Sequence, residues 1–120
     1  VPRVCVILRK AYGGAYIVMD SRGMGSDFVV AWPRAEIAVM GANQAIGLLY
    51  GRRELPQEEM ERLTEAYEAD YCTPRVAAER GYVDRVIEPT ETRRVVVGAF
   101  DALRSKREHL PKRRHANIPQ

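Results

Sequence analysis

The chain has 120 residues, 46% of them hydrophobic and 29% charged, with a formal net charge of +3. This is an ordinary composition for a globular domain. No apolar run approaches the roughly 18 residues of a membrane helix, no signal-peptide pattern is visible, and Cys5 and Cys72 alone make no disulfide framework.

Two further classes are set aside early. His109 and His115 have no cysteine at finger-like spacing, so no metal site is expected. Lys106, Arg107, Lys112, Arg113 and Arg114 form a basic cluster without interleaved aromatics, which reads as a solvated tail and not a nucleic-acid surface. The first residue is Val1, and the chain opens almost directly on an apolar run, so it is expected to be part of a larger polypeptide.

That run, Val4-Cys5-Val6-Ile7-Leu8, is short and β-branched and reads as a strand buried on both faces. Placing Cys5 there implies a reduced thiol in an intracellular setting. Gly13 and Gly14 follow, then a helix-like segment, Tyr16 to Asp20, with Ala15, Val18 and Met19 spaced to face a core. The expected unit is strand, Gly-Gly turn, helix start. Backbone N–H groups of a first helical turn lack internal partners, and the helix dipole favours negative charge there. With no side chain at Gly13 or Gly14, an oxygen atom can approach the backbone closely, as in an oxyanion hole. The alternative is a tight turn that needs glycine and does nothing more.

Ser21 to Asp27 has loop composition, and Phe28 to Trp32 reads as a strand ended by Pro33. Glu36 to Met40 is a second short strand, and Gly41 leads into a helix from Ala42 to about Tyr50 with Ala45, Ile46, Leu48 and Leu49 as its apolar stripe. Strand–Gly–helix thus occurs twice, which suits stacked ββα units. Pro56 opens the next helix, with Glu58 and Glu59 in its first turn and Met60, Leu63 and Tyr67 on one stripe. Glu61, Arg62, Glu65 and Glu68 occupy its polar face, a solvated surface and not a catalytic cluster.

Thr73-Pro74 is a second helix start, and Gly81 is the left-handed stop. Tyr82 to Ile87 is extended. Pro89-Thr90-Glu91 begins the last helix, which carries Val96, Ala99, Phe100 and Leu103 to about Arg107, with positive charge gathered at its end. Residues 1–50 thus form a strand–Gly–helix core, 51–110 a helical part and 111–120 a tail. The fold class is α/β with helices outnumbering strands, and no nucleophile–base pair emerges.

Four stretches, V-I-L-R-K-A-Y-G-G-A-Y, A-W-P-R-A-E-I-A-V-M-G-A, A-A-E-R-G-Y-V-D-R-V-I-E-P-T-E-T-R-R and H-A-N-I-P-Q, resemble the C-terminal part of the carboxyltransferase β subunit of biotin-dependent acyl-CoA carboxylases. The resemblance runs across essentially all 120 residues. It implies a crotonase-like fold of stacked ββα turns, here the last part of the second half. The implied reaction moves a carboxyl group from carboxybiotin to the α-carbon of a short-chain acyl-CoA, propionyl-CoA or acetyl-CoA. By the same resemblance, the Gly14 and Ala15 N–H groups form the oxyanion hole for the biotin carbonyl, and Gly13, Tyr16 and Ile17 line the biotin and substrate pocket.

Ile17 stands where propionyl-type members often carry aspartate, which leaves acetyl-CoA or a broader range open. The resemblance further implies biotin held on a partner carrier, a biotin carboxylase and carrier subunit as partners, a homo-oligomer from dimer to hexamer, and neither nucleic acid nor membrane. It implies the cytoplasm, or the mitochondrial matrix in a eukaryote. Two alternatives stand beside it: a biotin-dependent decarboxylase or transcarboxylase subunit, and a non-catalytic assembly module of the same fold.

Overall fold

The computed structural model describes residues 1–51, 53 and 55–108. Its first half is one motif used twice. Strands β1 (Val4–Ile7) and β2 (Lys10–Tyr12) lead into helix α1 (Gly13–Val18), and β3 (Phe28–Ala31) and β4 (Glu36–Ala38) lead into α2 (Ala42–Tyr50). The repeats stack in parallel: β1 pairs with β3, Val4 opposite Phe28, while β2 pairs with β4, Lys10 opposite Glu36. Each repeat therefore gives one strand to each of two sheets, and β5 (Arg85–Val86) adds a third strand beside β3.

The expected single strand before the glycines is thus two strands in two sheets. The break falls at Leu8-Arg9, where the Ile7 carbonyl accepts from Trp32 N–H at 2.9 Å and the Arg9 carbonyl from Glu36 N–H at 2.7 Å. Burial also differs from expectation. The strand sealed on both faces is β3, with Val29, Val30 and Ala31 fully buried, whereas β1 is mostly half-buried and Leu8 is exposed. The cause is sheet order: β3 lies between β1 and β5, so β1 has a neighbour on one side among the described residues.

One core cluster packs Ile7, Ala11, Val29, Ala31, Ala35, Ile37, Ala77 and Val83, with Cys5 and Tyr16 against it. The other joins Val30, Ile87 and Val95, with Phe28 and Trp32 alongside. Alternate residues of β3 therefore feed opposite clusters, as the two-residue period of a strand requires.

The later half is helical. Helix α3 (Gln57–Tyr67) runs into a π-helical turn, Glu68–Cys72, which brings Cys72 into the interior. Helix α4 (Pro74–Glu79) is capped by Thr73, whose hydroxyl accepts from Val76 N–H, and Gly81 takes φ +78° after it. A 3₁₀ turn, Pro89–Glu91, opens α5 (Thr92–Ala102). Val95 is the residue this helix buries, while Val96 is half-buried and Phe100 exposed. The last helix ends before its basic residues, so they do not complement its dipole as expected. Lys106 instead pairs with Asp27 at 2.7 Å, and that hydrogen bond holds the Asp27 carboxyl below its ordinary pKa. Among the described residues there are five α-helices and five strands, so helices prevail in length and not in number. The tail from residue 109 lies outside the described residues, as do both histidines.

Candidate functional site

The site begins where β2 turns into α1. The helix starts at Gly13, three residues earlier than the sequence suggests, so both glycines lie in its first turn. Their roles separate cleanly. Gly13 has φ +54°, and a Cβ there would stand 2.9 Å from the Val39 carbonyl oxygen. An L side chain is therefore excluded twice, by backbone conformation and by space. A Cβ on Gly14 would meet nothing within 4 Å, so its backbone is the open one. Close approach by an oxygen is thus available at Gly14, while at Gly13 a protein carbonyl already occupies that space.

The early start changes which residues α1 buries. Ala15, Val18 and Met19 were expected to face a core, yet Ala15 is exposed and Val18 and Met19 are 80% and 75% exposed. Tyr16 is the α1 residue that packs inward, its ring against the first core cluster. Its hydroxyl oxygen is buried with no hydrogen-bond partner among the described residues, and burial raises the phenol pKa. Ile17 is half exposed.

Beside this turn lies a groove of about 520 Å³. Gly13, Gly14, Tyr16 and Ile17 line it on one side, Ile37, Ala38 and Val39 of the second repeat form its floor, and Tyr67, Tyr71, Val76, Ala77, Arg80 and Tyr82 close the far side. Four of the five residues singled out in the sequence are thus brought together. Ala15 is exposed on α1 but is not among the lining residues. Neither Gly14 nor Ala15 N–H donates to a group outside α1 among the described residues, and no side chain caps the helix. As first-turn N–H groups they lack an intrahelical acceptor, and of the two residues Gly14 borders the groove.

The far side escaped sequence reasoning. Tyr67 reads as part of a core stripe, and nothing local marks Tyr71, Arg80 or Tyr82 as neighbours of Gly14. The available signal was the spacing of Tyr67 and Tyr71, four residues apart on a helix; their rings lie 4.9 Å apart. Beneath the turn, the Tyr12 hydroxyl donates to Glu36, joining β2 to β4, and burial holds that phenol well above its ordinary pKa. Among the described residues, no group of three or more His, Cys, Asp or Glu is placed to hold a metal ion, and no helix is long and apolar enough to cross a membrane.

Comparison with known proteins places this geometry. The chain is 53% identical to the propionyl-CoA carboxylase beta chain of Saccharopolyspora erythraea, an alignment covering 99% of the chain and 23% of that protein. It is 45% identical to methylmalonyl-CoA decarboxylase subunit alpha of Propionigenium modestum, covering 99% of the chain and 24% of that protein. Among solved structures, the transcarboxylase 12S hexamer core superposes with a TM-score of 0.92 at 44% identity, over 100% of this chain and 24% of that one. The geranyl-CoA carboxylase beta subunit of P. aeruginosa gives 0.70 at 28% identity, over 84% and 20%.

The chain therefore spans about a quarter of the length of these relatives. Its stacked ββα repeats are the crotonase-like α/β fold of the carboxyltransferase subunits. The carboxyl transferase domain profile matches residues 1–118. With both repeats, the Gly13-Gly14 turn and the α4–α5 region inside that match, the chain belongs to the carboxyl transferase domain family.

Proposed function

We propose that this chain is the biotin-receiving part of a longer acyl-CoA carboxyltransferase, which passes a carboxyl group between biotin and the α-carbon of propionyl-CoA or acetyl-CoA. One observation carries the reading. Gly14 has open space where a side chain would stand, borders the groove, and lies in the first turn of a helix whose first N–H groups have no acceptor outside it among the described residues.

Biotin, when bound, supplies a transferable carboxyl group on its ring nitrogen and, after release, the base for the acyl-CoA α-proton. The protein's contribution is electrostatic. The Gly14 and Ala15 N–H groups donate to the ring carbonyl oxygen as negative charge gathers there, a term that falls by about 3 kcal/mol when one donor is lost. Gly13 sets the direction of those donors by its left-handed φ. Tyr16 supplies the wall behind them, and Ile17 offers an apolar contact that bears on acyl preference, worth about 1–3 kcal/mol of discrimination. No side-chain nucleophile is needed, in keeping with a groove lined mainly by aliphatic and aromatic residues.

Within this reading, residues 1–50 carry the oxyanion turn and residues 51–110 the helices that close the groove. The acyl-CoA site is completed by polypeptide beyond this chain. The partners are a biotin carboxylase and a biotin carrier, the assembly is a homo-oligomer between dimer and hexamer, and the compartment is the cytoplasm or the mitochondrial matrix. The match to a decarboxylase subunit and to the transcarboxylase core favours one alternative, the same site run in the opposite direction.

The test is carboxyl transfer from malonyl-CoA and methylmalonyl-CoA to free biocytin by the full-length polypeptide. Gly14→Pro removes one donor N–H at a first-turn position that tolerates proline. Transfer by the wild type and a loss of about 10²–10³-fold in kcat are expected. Unchanged turnover by an assembled variant contradicts the oxyanion assignment, and no transfer by the wild type supports a non-catalytic assembly role.

A further inference from the structure

We propose that Arg80 is a carboxylate-binding residue of this groove, holding the carboxylate that is being transferred; the inference rests on the carboxyl-transfer reading above. Among the described residues that line the groove, Arg80 is the one that carries a charge, the rest being glycine, aliphatic or tyrosine. Arg80 is solvent-exposed at the rim of the groove, so it acts on an anion through direct hydrogen bonds and not through a buried, unscreened charge. The charge is also not already spent. Its sequence neighbour Glu79 is engaged by Arg75 at 3.0 Å, and no described carboxylate forms an ion pair with Arg80.

The backbone beneath Arg80 is firmly set. Its N–H closes the last turn of α4 on the Val76 carbonyl at 3.1 Å, Gly81 reverses the chain at φ +78°, and Tyr82 N–H returns to the Ala77 carbonyl at 2.9 Å. Ala77 itself is buried in the core. Arg80 and Tyr82 therefore reach the groove from one rigid turn. Tyr67 and Tyr71 stand on the same side, Tyr71 brought there by the π-helical turn, a distortion often found at functional sites. The surface thus offers flat aromatic walls and one planar cationic fork, and guanidinium matches a carboxylate with two parallel hydrogen bonds. Its ligand is an anion of the carboxylate class attached to an apolar or planar body.

The experiment compares binding of malonyl-CoA and acetyl-CoA, which differ by that carboxylate, to the full-length polypeptide by calorimetry. Wild type is expected to prefer malonyl-CoA by about tenfold. Arg80→Gln is expected to bring the preference below about twofold with acetyl-CoA affinity unchanged, and Arg80→Lys to restore part of it. A second readout needs no variant: phenylglyoxal labelling of Arg80, followed by mass spectrometry, should be slowed by malonyl-CoA and not by acetyl-CoA. Should Arg80→Gln not fold, this labelling alone decides. Equal discrimination by wild type and Arg80→Gln, or labelling indifferent to malonyl-CoA, overturns the role of Arg80 alone. Absence of binding to either ester together with absence of transfer overturns the carboxyl-transfer reading and this role with it.

Discussion

Gly13 and Gly14 are adjacent in sequence and opposite in physical role. Gly13 is required by conformation, since φ +54° disfavours any L side chain and the Val39 carbonyl fills the space a methyl would take. Gly14 has ordinary helical geometry and empty space around it. Gly13→Ala is therefore expected to lower stability by about 1–3 kcal/mol, a strain confined to one turn. Gly14→Ala is expected to leave stability unchanged or raise it by up to about 1 kcal/mol, because alanine is the better helix former. Thermal unfolding of the two variants in the full-length polypeptide checks this. Equal melting temperatures would contradict the division.

At the scale of elements, one residue ties the segment leading into β5 to the buried strand β3. Asp84 does this with both its backbone and its side chain. Its N–H donates to the Val29 carbonyl at 2.8 Å, and its carboxylate accepts from Val29 N–H at 2.7 Å while pairing with Arg22. Val29 is fully buried, so its N–H has no recourse to solvent. Asp84→Ala leaves that donor unpaired and is expected to cost about 1–3 kcal/mol. The loss should be visible as a lower denaturation midpoint with an unchanged slope. A change below about 0.5 kcal/mol would show that the side chain merely decorates the joint.

For the molecule as a whole, the large apolar side chains left exposed are the fact that bears on assembly. Val18, Met19, Val39, Leu48 and Leu49 are all between 64% and 81% exposed. Large apolar side chains exposed in this number are expected to be covered by further polypeptide. The 120-residue chain expressed alone is accordingly expected to transfer no carboxyl group and to bind a hydrophobic dye such as ANS, whereas the full-length polypeptide transfers and binds little dye. Turnover by the isolated chain would show that no further part is needed.

Local features of the chain were legible where a residue's own chemistry decides its conformation. Thr73 caps α4, Gly81 takes a left-handed φ, and Gly41 precedes α2, each as its residue type directs. The repeated strand–Gly–helix pattern read as stacked ββα units because periodicity and glycine position are properties of the sequence. Burial was not legible. Ala15 and Val18 of α1, and Met19 just beyond it, are apolar, yet α1 turns only Tyr16 inward, and an apolar pattern does not say which surface meets a neighbour. Nor were the partners of Gly14 across the groove, since Tyr67, Tyr71, Arg80 and Tyr82 lie more than fifty residues away in sequence. The sequence by itself determined the turn that offers backbone donors. Only the tertiary structure decided what faces those donors, because the stacking of distant segments, and not any local preference, builds the groove.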